Sequence, residues 1–125
     1  MDGLKVFMYK WLPVVFGCHC RDDRSFHYKG VKFPVCARCT GELVGILLSL
    51  ICVPFFRCSV QVSFLLLVPM ILDGFIQLLT KYESTNIRRF VTGLLFGYGI
   101  FMLFALSTIA SFDLGANIAQ NYILK

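Results

Sequence analysis

The sequence predicts an all-α integral membrane protein, with three transmembrane helices, a short N-terminal segment as candidate fourth, and a Cys/His-rich cytoplasmic cap. Three observations carry that reading. Hydrophobic residues make up 58% of the 125-residue chain and charged residues only 15%, against roughly 25% charged in soluble domains. A soluble domain this small cannot enclose so much apolar surface. The apolar residues fall into long runs, and the one extended polar stretch, CHCRDDRSFHYKGVKFPVCARCTG at 18–41, holds four of the six cysteines and both histidines.

Residues 1–17 carry a short apolar run interrupted by Lys5 and Lys10 and followed through Pro13. The run is short for a span and lacks a small-residue cleavage pattern. It reads as an interfacial or partly inserted helix with Tyr9 and Trp11 at headgroup level; a short tilted span is the alternative. Residues 18–39 form the cap. Transmembrane helices follow at 40–56, closed by Arg57, at 59–80, with Pro69 inside, and at 90–112. A proline is tolerated within a membrane helix. The tail 113–125 is mildly amphipathic and reads as a frayed or surface-lying segment. All of this forms a single membrane domain.

Charge orients the chain. With three spans, 1–39 and 81–89 share one side and carry Lys5, Lys10, Arg21, Arg24, Lys29, Lys32, Arg38, Lys81, Arg88 and Arg89, whereas the other side has only Arg57 and Lys125. That bias places the N-terminus and the cysteine cluster in the cytoplasm of a multi-pass cell-membrane protein. The net charge of +5 then suits a bilayer with anionic headgroups. No basic and aromatic interleaving on a soluble face argues for nucleic acid. TGELVG at 40–45 and TGLLFG at 92–97 each place two glycines four apart. Gly41, Gly45, Gly93 and Gly97 are therefore candidates for close helix packing, between the two helices or in a homo-oligomer.

The cap carries the chemistry. Cys18 and Cys20 form one close pair, and Cys36 and Cys39 a second about fifteen residues on. Two such knuckles can deliver four ligands to one tetrahedral ion. The leading reading is a structural metal site, zinc by ligand type, from Cys18, Cys36 and Cys39 with His19 or Cys20 as fourth ligand. Adjacent Cys18 and His19 would need a strained turn to share an ion. A second reading is a membrane thiol-disulfide oxidoreductase using Cys36 and Cys39, which lie at a helix start beside Arg38. Cysteines left as small, half-buried packing residues are the third, and that is the reading for Cys52 and Cys58. Reducing conditions disfavour a structural disulfide. His27 reads as a loop residue.

A further polar set lies apart from the thiols. Asp73 and Gln77, at i and i+4, share a face inside the second span, and a carboxylate at that depth turns inward to find partners. Together with Arg24, Arg38, Asn86 and Arg89 they make a candidate polar or anion pocket, the basis for an alternative reading as a small transporter or lipid-headgroup enzyme.

C-H at 18–19, R-S-F at 24–26, P-V-C-A-R-C-T-G at 34–41, L-D-G at 72–74 with Gln77, and Asn86 with Arg89 and T-G-L-L-F-G at 92–97 together resemble the small prokaryotic membrane proteins grouped as domain of unknown function 2085. The resemblance implies positions rather than an activity: Cys18, His19, Arg24, Cys36, Arg38, Cys39, Asp73, Gln77, Asn86 and Arg89. Cys20 stands where that family has a polar, non-cysteine residue, so a ligand role for Cys20 would be peculiar to this chain.

Overall fold

The computed structural model describes residues 2–19 and 22–124. In chain order these form α1 (Asp2–Val15), a single 3-10 turn (Asp22–Arg24), β1 (Ser25–Tyr28), β2 (Val31–Cys36), α2 (Ala37–Cys52), α3 (Val60–Leu79) and α4 (Asn86–Ile123). Cys20 and Arg21 lie outside the described residues.

The chain is mostly helical, as expected, and two short strands add a hairpin that the all-α reading did not include. β1 and β2 pair antiparallel, with Tyr28 opposite Val31, His27 opposite Lys32 and Ser25 opposite Cys36. Lys29 and Gly30 both adopt positive φ, 51° and 80°, as a two-residue hairpin turn of the right twist requires. A register irregularity between Ser25 and His27 lets the returning strand end at Cys36. The hairpin thus turns a loop into a rigid arm that carries the second thiol pair back toward Cys18.

Helix bounds differ from the expected spans. α2 starts at Ala37 and ends at Cys52, so the chain turns four residues before Phe56. Ser59 caps α3 by accepting from the Val62 N–H, and Thr85 caps α4 by accepting from the Arg88 N–H, as short hydroxyl side chains do at helix starts. α4 runs unbroken for 38 residues. The tail 113–123 continues it rather than fraying.

α4 is the central element, and α2 and α3 both pack along it. The packing depends on glycine. A methyl group at Gly41 or Gly45 would overlap the backbone oxygen of Phe90 or Leu94, and one at Gly93 or Gly97 would overlap that of Arg38 or Glu42. Backbones approach this closely only where no Cβ intervenes. These four glycines are therefore engaged in contacts within the chain.

Among the described residues, buried apolar side chains are few: Val35, Ala37, Cys39 and Met102. α3 and α4 are long and apolar enough to cross a membrane, yet only 6% and 22% of their most apolar stretches are buried within the chain. The core helix of a soluble protein would be mostly covered, so these surfaces call for an apolar solvent. α1 has no buried residue and presents Phe7, Trp11, Val14 and Val15 outward. Its tie to the hairpin is a hydrogen bond from the Tyr9 hydroxyl to the Lys32 carbonyl.

Candidate metal centre

The hairpin and the first turn of α2 assemble the thiols. The sulfurs of Cys18, Cys36 and Cys39 all lie within 4.8 Å of one another and could hold a metal ion. Three sulfurs at about 2.3 Å from a tetrahedral ion would stand about 3.8 Å apart, so small side-chain adjustments suffice. Cys18 follows α1, which ends in a turn at Gly17 with φ 57°. Cys36 closes β2, and Cys39 lies in the first turn of α2.

The thiols are already polarised. The Cys36 and Cys39 sulfurs are 3.4 Å apart and share a hydrogen. That shared hydrogen is the main cause that lowers the Cys36 thiol from 9.0 to about 5, with backbone N–H groups at the start of α2 and Cys18 adding to it. The same hydrogen, with burial, holds Cys39 protonated well above the usual range. The Cys36 N–H donates to the Cys18 sulfur at 3.3 Å, a backbone hydrogen bond of the kind that orients a ligand. The pair thus favours a thiolate at Cys36, and a bound cation would displace the proton of Cys39.

His19 is exposed and lines the same cleft of about 280 Å³ as the three cysteines. It stands outside the tight sulfur group. Cys20, the other candidate fourth ligand, lies outside the described residues. His27 belongs to a strand rather than a loop and is exposed. Cys52 and Cys58, far along the chain from the cluster, are free thiols.

Arg38, between the two clustered cysteines, links them to a second polar group. Its guanidinium donates to Asp73 at 2.6 Å, joining α2 to α3. The Gln77 amide donates to the same carboxylate oxygen at 2.7 Å and to the Ser84 hydroxyl at 2.8 Å. Ser84 in turn donates to Asp73 at 3.3 Å and accepts from Arg89 at 3.1 Å. The inward carboxylate finds its cation on α2, whereas the following loop and helix reach it only through Ser84. Arg24 stands apart, 3.7 Å from Glu83, and lines the cleft with Arg38. Asn86 sits in the first turn of α4 and, among the described residues, makes no hydrogen bond to this group. Ser84, the hub of the network, carried no signal beyond its place two residues before the α4 start. Glu42, one turn beyond Cys39 on α2, also lines the cleft.

The chain is similar to two archaeal proteins. An uncharacterized protein of Methanothermobacter thermautotrophicus is 41% identical over 91 residues, covering 69% of this chain and 82% of that protein. An uncharacterized protein of Methanocaldococcus jannaschii is 37% identical over 90 residues, covering 66% of this chain. The chain spans 58% of the length of that second relative. No solved structure gives a significant match. A family described as predicted membrane protein, DUF2085, matches residues 18–103, a stretch that starts at the first clustered cysteine and takes in the thiols, the Arg38–Asp73 pair and the crossing glycines. With thiol cluster, polar network and helix crossing all inside that match, the chain belongs to the DUF2085 family of predicted membrane proteins.

Proposed function

We propose that this is a small multi-pass cell-membrane protein whose cytoplasmic cap is fastened by one zinc ion on Cys18, Cys36 and Cys39. The fourth ligand comes from His19 or Cys20. The single observation that supports the reading is the mutual approach of three cysteine sulfurs within 4.8 Å, with spacing and softness suited to zinc. Three spans, from α2, α3 and α4, with the cap inside, fit the excess of Lys and Arg on the cap side. The ion would hold the hairpin against the start of α2 and so fix Arg38 over Asp73. Elemental analysis of detergent-purified protein tests this: about one zinc per chain is expected, lost in Cys36→Ser or Cys39→Ser because the remaining ligands bind far more weakly. Metal-free protein with an ordered cap would end the reading.

One observation favours a second reading. The 3.4 Å contact between the Cys36 and Cys39 sulfurs and the lowered Cys36 thiol are what a thiol-disulfide pair needs. That reading expects the two cysteines to cycle with a dithiol reductant and no stoichiometric metal.

A further inference from the structure

Arg24 and Arg38 line the cleft beside the thiols, and Arg89 lies close to both. Arg24 comes from the 3-10 turn, Arg38 from the start of α2 and Arg89 from the start of α4. Arg24 and Arg38 are both close enough to Arg89 to repel it. Asp73 answers Arg38. Arg89 is 5% exposed; the Ser84 hydroxyl accepts from its Nε, and Glu83 and Asp23 offset part of the repulsion from the other two arginines. Arg24 has Glu83 at 3.7 Å and Asp23 at 3.9 Å, carboxylates that are themselves 68% and 52% exposed. Contacts of that length to exposed groups contribute little.

Two nitrogens sharpen the point. The Nε atoms of Arg24 and Arg38 are buried and have no hydrogen-bond partner among the described residues. Both side chains line the same 280 Å³ cleft. Buried donors are rarely left unmet in native proteins, and these two belong to guanidiniums that remain 33% and 25% exposed toward the cleft. The cleft holds several times the roughly 30 Å³ share of one water, room for a tetrahedral anion.

We propose that this cleft is a binding site for a phosphate group, held by Arg24 and Arg38 with Arg89 behind them. Guanidinium forks match phosphate oxygens in pairs. The group can arrive as a soluble phosphate or as the phosphomonoester headgroup of a lipid, since the cleft lies at the cap end of two long apolar helices. Glu42 is the carboxylate of the cleft lining and opposes the anion, which gives the site a sign that can be tested. The site does not depend on the identity of the metal.

The test is calorimetric titration of detergent-purified, full-length protein with inorganic phosphate, beside capture by nanodiscs containing phosphatidic acid or phosphatidylcholine alone. Metal content is measured on each sample, so loss of phosphate binding in a metal-bearing protein concerns this inference alone. Saturable binding is expected, weakened at least tenfold in Arg24→Gln, partly retained in Arg24→Lys, tightened in Glu42→Gln and unchanged in Arg57→Gln. Arg24 is the chosen position because its ion pairs are weak, and retained helical circular dichroism checks the fold. Binding of inorganic phosphate assigns a soluble source. Capture of phosphatidic acid alone, lost in Arg24→Gln, assigns a lipid headgroup. No binding in either arm, or binding indifferent to Arg24→Gln, overturns the proposal.

Discussion

Asp73 accepts from Arg38, Gln77 and Ser84 at one carboxylate oxygen. Hydrogen bonds to a charged group contribute about 1.5–3 kcal/mol each when one partner is removed. Asp73→Leu should therefore lower the stability in detergent by about 3 kcal/mol or more and strand Arg38 without its counter-ion. The double variant Asp73→Leu/Arg38→Met should regain much of the loss, because an apolar pair carries no buried charge. A midpoint of thermal unfolding at the wild-type value in Asp73→Leu would refute the account. The thiols give a pH prediction. The folded state lowers the Cys36 thiol from 9.0 to about 5, so its contribution to stability is full above the ordinary thiol value and is lost as pH falls through about 5. In metal-free protein, alkylation of Cys36 by iodoacetamide should hold its rate from pH 8 to about 6 and fall as pH passes about 5, with Cys39 slow throughout. Peptide mass spectrometry reads both sites, and a Cys36 rate that collapses between pH 9 and 7 would contradict it. Spacing alone made Cys18, Cys36, Cys39 and the Asp73–Gln77 face legible. Ser84 was not, because a serine before a helix start looks like a cap, and only the fold brings it between Gln77 and Arg89.

Among the elements, the α2–α4 crossing is the most sharply constrained. At Gly45 and Gly97 a Cβ would overlap the backbone oxygens of Leu94 and Glu42, and backbone cannot rotate aside as a side chain can. Overpacking typically costs about 1–3 kcal/mol, and here both helices must part. Gly45→Ala and Gly97→Ala should each abolish an engineered crosslink between α2 and α4 while membrane insertion persists. Gly74→Ala and Gly115→Ala, where nothing lies within 4 Å, should retain the wild-type unfolding midpoint. The paired glycines were visible in the sequence because small residues four apart share a helix face. The hairpin was not. Its strands are four and six residues long, and its turn is Lys-Gly in place of the strongly signalling Asn-Gly or Asp-Gly. The length of α4 was also hidden, since a polar tail such as DLGANIAQ reads as a surface segment until it is seen to prolong the helix below it.

At the scale of the molecule, stability has to come from outside the chain as much as from inside it. The four buried apolar side chains among the described residues are too few to hold three packed helices in water. A bilayer supplies the missing apolar surroundings for α3 and α4, and composition alone conveyed that much. The proposed orientation rests on a different quantity, the ten Lys and Arg that three spans would place on the cap side against two on the other, at loops and helix ends where such charges control insertion. The two ends of α2 make that orientation measurable, because Cys36 and Cys39 stand at its start while Cys52 and the nearby Cys58 stand at its far end, all as free thiols. Cys58 is partly exposed, just after Arg57. A membrane-impermeant maleimide applied to intact cells should therefore modify Cys58 and miss Cys18, Cys36 and Cys39. Bound metal would also protect the cluster, so the comparison needs permeabilised cells treated with a chelator, in which the cluster should become reactive. Labelling of Cys36 from outside in intact cells, with Cys58 silent, would invert the topology. It would also place the three sulfurs in an oxidising compartment, where a Cys36–Cys39 disulfide would displace zinc as the natural state of the cluster.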